Sequence, residues 1–434
     1  MFVVDGRCAS GSVWQVEEPY RYETLPLDTP AADPRWAEYL DVFNASFLDE
    51  RAPEERLAHF REFRRHANAR LDMITTEGPG ATPRRPIAAF SAAPYTHNAG
   101  AGVVDTWVIN TIGVRASHRR RGLLSEMMRR QLTHAVESGF ATAVLTSSEG
   151  GIYGRFGFGP ANRTCSIEID CARFRYLPDV DVADGVVEFC LPSQLAEDYE
   201  RLTRAHQERH PGAHGRLLSH RRVHLGELDR ETDGPNRKLR AVGLWQDDVL
   251  AGYATFQAKE KWGETVQINE IVSGEPSVDR RLLQALVDID LVQKLTYGWS
   301  HPRDPLPLSL ADPRAVTIKE TEDGIWLRVL DLPKALQQRG WDADGETVLE
   351  VRDAMGLAEG RWHLSVTGGR AAVTSTEEPA QLTLGVDVLA LVYFGDRTVA
   401  ECADAGLVRG SGAAVREASS LFLTHRPPAN LASF

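Results

Sequence analysis

The sequence predicts a mixed α/β protein, with α+β character towards its C-terminal end, built from three successive domains. Its 434 residues exceed what a single hydrophobic core usually organises. Between residues 103 and 146 the order is strand, basic glycine turn, amphipathic helix and strand, which is typical of a β–α–β layout. Beyond residue 315 short strands are grouped ahead of helices, as in an α+β domain.

The first domain is expected to span residues 1–176. Residues 1–35 have little pattern and are expected to be irregular, whereas the apolar spacing from Trp36 to Arg70 predicts helical structure. A further helix is predicted from Leu123 to Glu137, because its apolar side chains share one face and Gly139 follows its end. Strands are predicted at 87–92, 103–114 and 141–146.

The second domain is expected over residues 177–312 and repeats this order faintly. The segments Ile109-Asn-Thr-Ile112 and Ile268-Asn-Glu-Ile271 are alike, but no Arg-Arg-Gly follows the second one. We prefer a duplicated fold with one working and one structural copy, and chance similarity of two strand–helix units is the alternative. A hairpin is predicted at 244–257, a strand at 266–273 and a helix at 278–292.

The third domain is expected over residues 313–434. Alternating apolar positions predict its strands, and the later helical periodicity predicts its helices. The strands are expected at 325–329, 348–351, 362–367, 371–374 and 382–385, and the helices at 386–393 and 413–421.

Composition and charge indicate the cellular compartment and the class of binding partner. No apolar run approaches the ~20 residues that cross a bilayer, and the first residues lack the order of a signal peptide, so a cytoplasmic protein is expected. The five cysteines form no C-x-x-C pair, which argues against a disulfide framework or a zinc site. The net charge of −12 disfavours nucleic acid and favours cationic partners.

A group of histidines resembles a metal cluster at first sight. Pro211-Gly212 breaks the helical register among them, and no Cys, Asp or Glu completes a ligand set. We therefore expect a solvated, histidine-rich helix end and loop rather than a metal site. The group comprises His206, His210, His214, His220 and His224.

The densest chemical pattern is Thr111-Ile-Gly-Val-Arg-Ala-Ser-His-Arg-Arg-Arg-Gly-Leu-Leu-Ser125. A strand ends here, and arginines and a glycine precede a helix start, whose unpaired N–H groups and positive dipole end favour a phosphate. Gly122 lets the backbone approach a pyrophosphate, and arginines form charge-assisted hydrogen bonds to its oxygens. Taken alone, the pattern is better explained as a solvated basic turn, because basic turns are common.

The surrounding sequence changes that interpretation. Arg119-x-x-Gly122 resembles the acyl-CoA motif of the GNAT superfamily, usually Q/R-x-x-G-x-G/A, although Leu124 departs from it. Ser117-His-Arg-Arg-Arg-Gly-Leu-Leu124 and Ser148-Glu-Gly-Gly-Ile-Tyr-Gly-Arg-Phe-Gly-Phe-Gly-Pro-Ala161 together resemble the Eis (enhanced intracellular survival) family of bacterial acetyltransferases. Ala45-Ser-Phe-x-Asp49, His301-Pro-Arg-Asp-Pro-Leu-Pro307 and the terminal phenylalanine extend the resemblance over nearly the whole chain.

The resemblance implies a GNAT domain, a degenerate GNAT-like domain and a sterol-carrier-like C-terminal domain, which match the three predicted domains, and a homo-hexamer. It implies acetyl-CoA as co-substrate, no metal, and direct transfer in a ternary complex to primary amines of polycationic substrates such as aminoglycosides. A protein-lysine or small-polyamine N-acetyltransferase is the alternative among enzymes. The alternative outside them is a non-catalytic protein whose third domain binds a lipid-like ligand.

The resemblance also implies roles for individual residues. Tyr153 would be the general acid, since a phenol of ordinary pKa near 10 can protonate a thiolate from roughly 3 Å. The carboxylate of Phe434 would be the general base, and being weakly basic it would orient the substrate ammonium and collect its proton through water. Phe47 and Asp49 would line the amine pocket. Acetyl-CoA would be bound by Ile112, Gly113 and Val114 along the strand edge, by Arg120, Arg121, Gly122, Leu123, Leu124 and Ser125 at its pyrophosphate, and by Ser148 and Glu149 at its pantetheine arm.

Each of these assignments has a purely structural alternative. Tyr153 is also explained as a packing aromatic in a glycine-rich turn, and Phe434 as part of a frayed end. Phe47 and Asp49 are also explained as residues that end a helix.

Overall fold

The computed structural model describes residues 19–78, 82–260 and 263–431 of the chain. These residues form two compact units. The first comprises the residues up to Arg61 together with 70–92 and 111–133, and the second comprises 62–69, 93–110 and the residues from His134 onward. No helix within the described stretches is long and apolar enough to span a membrane.

The N-terminal elements match the sequence-based predictions around the basic turn and differ from those predictions before that turn. The predicted strand 103–114 and the predicted helix Leu123–Glu137 are both present. Residues 20–24, expected to be irregular, form a strand because they pair antiparallel with residues 72–76. In chain order the elements are β1 Tyr20–Thr24, α1 Arg35–Ser46, α2 Glu54–His66, β2 Arg70–Gly78, β3 Thr82–Asn98, β4 Val103–Val114, α3 Leu123–Glu137, β5 Thr142–Thr146, β6 Gly159–Pro160 and β7 Arg163–Asp170.

The helical stretch expected from Trp36 to Arg70 is interrupted, and it forms α1 and α2. Leu48 adopts φ +60°, a left-handed conformation that ends α1 just after Ser46. Pro53 lies directly before α2, where its missing N–H costs no helical hydrogen bond.

The later elements follow the predicted order more closely. The hairpin between β9 and β10 turns at Asp247 and Asp248, both with positive φ, as a two-residue hairpin turn requires. The predicted helix 278–292 ends earlier, at Val287. The elements are β8 Val186–Cys190, α4 Tyr199–Arg209, α5 Leu218–His224, β9 Arg240–Gln246, β10 Val249–Ala258, β11 Thr265–Ser273, α6 Pro276–Val287, β12 Lys294–Ser300, β13 Val316–Asp323, β14 Ile325–Val329, α7 Leu332–Gln338, β15 Gly345–Arg352, β16 Gly360–Thr367, β17 Arg370–Ser375, β18 Leu382–Gly385, α8 Val386–Tyr393, α9 Val399–Asp404, β19 Val408–Gly410 and α10 Gly412–Phe422.

The described strands pair into sheets in which the strand order differs from the order along the chain. In the first unit β2 pairs antiparallel with both β1 and β3. In the second unit β4 and β5 are parallel neighbours, and the order continues as β4-β5-β14-β6. The second sheet has the order β13-β7-β12-β11-β10-β9-β8, and the third sheet has the order β17-β16-β15-β18-β19.

Two strands, β14 and β7, pair with strands that belong to a different predicted domain. The strand expected to open the third domain, β14, pairs antiparallel with β5 from Ile325↔Thr146 to Val329↔Thr142. Strand β7 pairs with β12 and β13 in the second sheet. All five residues of β14 are buried, as in a strand covered on both faces. Strand pairing therefore crosses both of the domain limits expected at residues 176 and 312, and those limits stay predictions.

Of the histidines expected to be solvated, His206, His214 and His220 are buried and the other two are half-buried, so that expectation was wrong. Their exposed fractions are 9% for His206, 4% for His214 and 3% for His220. Helix α4 packs against β11, and the loop that follows it hydrogen-bonds to the end of β3, which removes His206 and His214 from water. Burial lowers the pKa of His210 to about 4. Within the described parts of the chain, no three metal-ligating side chains come together.

Candidate functional site

Strand β4 passes so closely to α1 that only glycine fits at residue 113. A Cβ there would lie 2.8 Å from Ser46 Oγ and 3.0 Å from the Cα of Phe43. Gly113 is buried, whereas its neighbours Ile112 and Val114 are half-buried. The edge of β4 assigned to acetyl-CoA therefore lies beside the C-terminal end of α1.

A tight turn leads into α3. Arg120 adopts φ +61° and Gly122 φ +75°, and a non-glycine residue in this left-handed region is uncommon and strained, a feature that clusters at functional sites. The N–H of Glu126 donates to the carbonyl of Gly122 over 3.0 Å, as an early bond of the helix. The N–H groups of Leu123, Leu124 and Ser125 precede it and have no acceptor within the helix. This helix start is suited to a phosphate.

The arginines around this turn have different surroundings. Arg115 pairs with Asp41 over 2.8 Å, and Arg119 donates to the Ser46 carbonyl over 3.1 Å, so both tie the turn to α1. Arg121 donates to the hydroxyl of Tyr20 over 2.7 Å. Arg120 is exposed, and no hydrogen bond or ion pair joins its guanidinium to a described residue. Arg120 is therefore available to an anion, and Arg121 is held by a neutral partner.

The turn carries a positive electrostatic potential. Burial lowers the pKa of the His118 imidazole, and the guanidinium groups of Arg121, Arg85 and Arg115 lower it further. A neutral His118 and several cations leave a net positive patch, which is what a pyrophosphate requires.

The residues expected to line the amine pocket follow the C-terminal end of α1 and are exposed. Phe47 is 52% exposed and its ring lies 5.0 Å from that of Phe43. Asp49 is exposed, and one of its carboxylate oxygens accepts the N–H of Glu50. Leu48 between them is 95% exposed. The arrangement presents an apolar surface with a carboxylate, and Arg119 connects it to the basic turn through Ser46.

Tyr153 lies in the second unit and is only 8% exposed. Its ring meets those of Phe158 and Trp326 edge-on, with centroids 6.3 and 6.5 Å away. Burial raises the pKa of its hydroxyl, and the nearby Glu149 carboxylate raises it further. The phenol is therefore protonated at neutral pH, as a general acid must be. No hydrogen bond occupies this hydroxyl within the described part of the chain.

The glycines that follow Tyr153 serve packing. Gly157 has φ +80°, and a Cβ there would lie 2.7 Å from Val386 Cγ1. A Cβ on Gly159 would lie 2.1 Å from the carbonyl oxygen of Asp387. The glycine-rich motif thus allows the chain after Tyr153 to contact the start of α8, a role that sequence reasoning missed.

The remaining predicted residues lie in a turn or outside the described residues. Ser148 and Glu149 are exposed in the turn after β5, where the Glu149 N–H donates to Ser147 Oγ over 3.2 Å. Phe434 lies outside the described residues. Sequence reasoning also missed Tyr20, the acceptor for Arg121, because a contact across 101 positions leaves no local pattern.

Family models match the three parts of the chain. Residues 29–161 match an acetyltransferase (GNAT) domain, and residues 217–329 match a second acetyltransferase (GNAT) domain. Residues 332–430 match a sterol carrier protein domain. The expected tandem GNAT fold followed by a sterol-carrier-like domain is confirmed, and chance similarity of the two halves is set aside.

Relatives resemble the chain over most of its length. It is 32% identical over 397 residues to an uncharacterized N-acetyltransferase of Streptomyces avermitilis, covering 88% of this chain and 91% of that protein. It is 30% identical over 400 residues to the N-acetyltransferase Eis of Mycobacterium bovis, covering 89% and 93%. The crystal structure of Eis1 from Mycobacterium abscessus matches with a TM-score of 0.79 at 26% identity, covering 96% of this chain and all of that one.

These similarities decide between the enzyme and the ligand carrier. GNAT domains and N-acetyltransferase relatives make the protein an acyltransferase, and the GNAT fold implies acetyl-CoA as its co-substrate. The start of α3, with its positive patch, fits such a cofactor. The chain belongs to the Eis family of GNAT-superfamily N-acetyltransferases.

Proposed function

We propose that the protein acetylates primary amines of polycationic, aminoglycoside-like substrates by direct attack on acetyl-CoA in a ternary complex. The observation that carries the proposal is the hydrogen bond from Arg119 to the Ser46 carbonyl, 3.1 Å long. This bond joins the basic turn, proposed to bind the pyrophosphate, to the end of α1 where Phe47 and Asp49 are exposed. A cationic substrate would be attracted by the Asp49 carboxylate and by the net charge of −12.

The cofactor half of the proposal rests on the start of α3. Arg120 and Arg121 would contact the pyrophosphate oxygens, while the N–H groups of residues 122–125 would donate to them. Ile112, Gly113 and Val114 would bind the cofactor along the edge of β4. Ser148 and Glu149 would contact the pantetheine arm.

The chemical half assigns two proton transfers. Amine attack on the thioester carbonyl forms a C–N bond and breaks the C–S bond, so the departing thiolate takes up a proton and the amine loses one. The protonated phenol of Tyr153 would supply the first proton. The carboxylate of Phe434 would orient the substrate ammonium and pass to water the proton that the ammonium loses to become the attacking amine. The proton that the amine releases after attack would restore the phenol of Tyr153.

The family resemblance supports the wider setting of the proposal. We propose a cytoplasmic homo-hexamer that works without a metal ion, with domain limits at 1–176, 177–312 and 313–434. Light scattering on the purified protein measures the assembly directly, and a monomer would contradict it.

A panel of amines tests the substrate class. Untagged protein with acetyl-CoA should release the CoA thiol rapidly with aminoglycosides and slowly with spermidine or lysine peptides. The products, separated and weighed by mass spectrometry, should carry acetyl groups on primary amines. Rapid turnover of lysine peptides alone would overturn the aminoglycoside proposal in favour of a protein-lysine acetyltransferase.

The same assay tests the terminal carboxylate. A C-terminal tag keeps the Phe434 ring but converts its carboxylate into an amide, and deleting Phe434 moves the carboxylate by up to ~3.5 Å. Both changes should lower turnover while acetyl-CoA affinity is retained, and an N-terminal tag serves as the control. Equal turnover of all forms would assign the base to another group.

A further inference from the structure

The last described residues dock on the loop that links α4 to α5. We call residues 428–431 the tail segment and residues 211–216 the cradle loop. The N–H of Ala429 donates to the Pro211 carbonyl over 3.0 Å, and the Asn430 side-chain oxygen accepts the N–H of His214 over 3.4 Å. Asn430 is 2% exposed, so the tail segment is buried along the loop rather than laid over it.

The cradle loop is itself fixed to β3. The N–H of Gly212 donates to the Asn98 carbonyl over 2.8 Å, and the Asn98 N–H donates to the Ala213 carbonyl over 2.9 Å. The N–H of Gly215 donates to the Thr96 carbonyl over 3.1 Å. Because these bonds resemble those between strands, the position of the cradle loop is set by the end of β3.

Arg216 bridges the tail segment to a buried carboxylate. Its Nη1 donates to the Leu431 carbonyl over 2.9 Å, and its Nη2 donates to Glu270 Oε2 over 2.7 Å. The other oxygen of Glu270 accepts the hydroxyl of Tyr253 over 2.9 Å. The side chains of Arg216 and Glu270 are 5% and 0% exposed, so water does not compete for these bonds.

The side chain of Leu431 is a second anchor. Leu431 is 6% exposed and belongs to an apolar cluster with Tyr199 and Leu202 of α4 and Tyr253 of β10. The backbone of Leu431 is thus held by Arg216 while its side chain is held by the core of the second sheet. Residue 431 is therefore fixed at two points.

We infer that Arg216, held in place by Glu270, is a positioning residue for the terminal carboxylate. The inference rests on the proposed role of Phe434 as the base. Three residues separate Leu431 from that terminus and extend at most ~11 Å, so fixing Leu431 limits where the carboxylate can lie. A misplacement of about 1 Å at a reacting group can cost about 100-fold in rate. The two contacts that fix Leu431 would therefore affect turnover.

The test replaces Arg216 with a residue of the same charge that cannot bond both of its acceptors. Arg216→Lys keeps a cation beside Glu270, but a single ammonium lacks the guanidinium fork that spans both acceptors. It should lower kcat by roughly 10- to 100-fold and leave the KM for acetyl-CoA little changed. Leu431→Ala removes the apolar anchor and should act in the same direction, which keeps the test available if Arg216→Lys folds poorly. The control is Arg209→Lys, since the Arg209 side chain pairs with Asp279 over 2.7 Å and reaches no described residue of the tail.

Combining the variants with a C-terminal tag separates positioning from general damage. If Arg216 acts through the terminal carboxylate, Arg216→Lys should lower turnover of the untagged protein and add little to the loss caused by the tag. Equal losses in both backgrounds would overturn the inference. If the tag lowers turnover and neither Arg216→Lys nor Leu431→Ala does, the inference fails and the proposed base survives. If the tag has no effect, the proposed base fails, and the inference fails with it.

Discussion

At the scale of single residues, the surroundings of Tyr153 suit an acid better than a base. Burial raises the pKa of its hydroxyl above the ordinary value of 10.0, and the negative charge of Glu149 adds to that effect. A phenol in this state keeps its proton through neutral pH, and it loses the proton only above pH 10. The alkaline limb of the pH–rate profile should therefore lie above pH 10 if Tyr153 deprotonation is what ends activity.

Tyr153→Phe keeps the ring between Phe158 and Trp326 and removes the proton. Turnover should fall on the order of 10²- to 10⁴-fold, with acetyl-CoA affinity retained, when single-turnover rates and calorimetry are measured side by side. Tyr393→Phe is the matched control, because it removes a buried hydroxyl that donates to the Ala335 carbonyl. A Tyr153→Phe protein as fast as the control would leave Tyr153 a packing residue.

At the scale of elements, the start of α3 distinguishes arginines that look alike in the sequence. Arg119 is occupied by the carbonyls of Ser46 and Val114, whereas Arg120 is exposed and unpaired among the described residues. Arg121 is exposed as well, and its partner Tyr20 carries no charge. The affinity for the pyrophosphate should therefore come from Arg120 and Arg121 and from the helix start.

Replacing Arg120 and Arg121 together with alanine should weaken acetyl-CoA binding, because each charge-assisted hydrogen bond is worth roughly 1.5–3 kcal/mol. Isothermal titration calorimetry measures the loss. The control is Arg129→Ala on the same helix, since Arg129 pairs with Glu126 over 2.9 Å. Unchanged affinity in a folded double variant would show that the turn does not bind the cofactor.

Elements that depend on local pattern were predictable from the sequence, and those that depend on distant partners were not. Strand β4 and helices α3 and α8 have their predicted bounds because periodicity and turn residues define them. Strand β1 was missed because pairing with β2, rather than apolar alternation, makes it a strand. For the candidate site, the motifs predicted the segments that carry the proposed residues. Only the structure shows that Arg119 is hydrogen-bonded to carbonyl groups whereas Arg120 is exposed.

At the scale of the whole molecule, burial of neutral histidines links folding to pH. Burial lowers the pKa of His97 to about 3 and that of His210 to about 4, and it lowers those of His206, His214 and His224 well below 6.5. In the unfolded chain these rings take up protons below pH 6.5. The unfolded state then binds more protons than the folded state, so stability falls as the pH drops.

Stability should be full above pH 6.5 and should decline from there towards the lowered pKa values of the buried rings. Each such ring contributes up to about 1.4 kcal/mol per pH unit, and urea midpoints between about pH 7.5 and about pH 5 measure the sum. His97→Leu should flatten the decline, while His66→Gln, at an exposed position, should leave it unchanged. Urea midpoints independent of pH in this range would contradict the expectation.

The pairing of β14 with β5 also bears on how the chain is made. A ribosome releases residues in order, so β5 leaves it long before Ile325 exists. At usual rates of synthesis the interval is on the order of ten seconds or more, during which the edge of β5 is open. An open strand edge invites pairing with other chains. The sheet that contains β5 is therefore completed late in translation, and until then its open edge would be a binding site for a chaperone that shields strand edges.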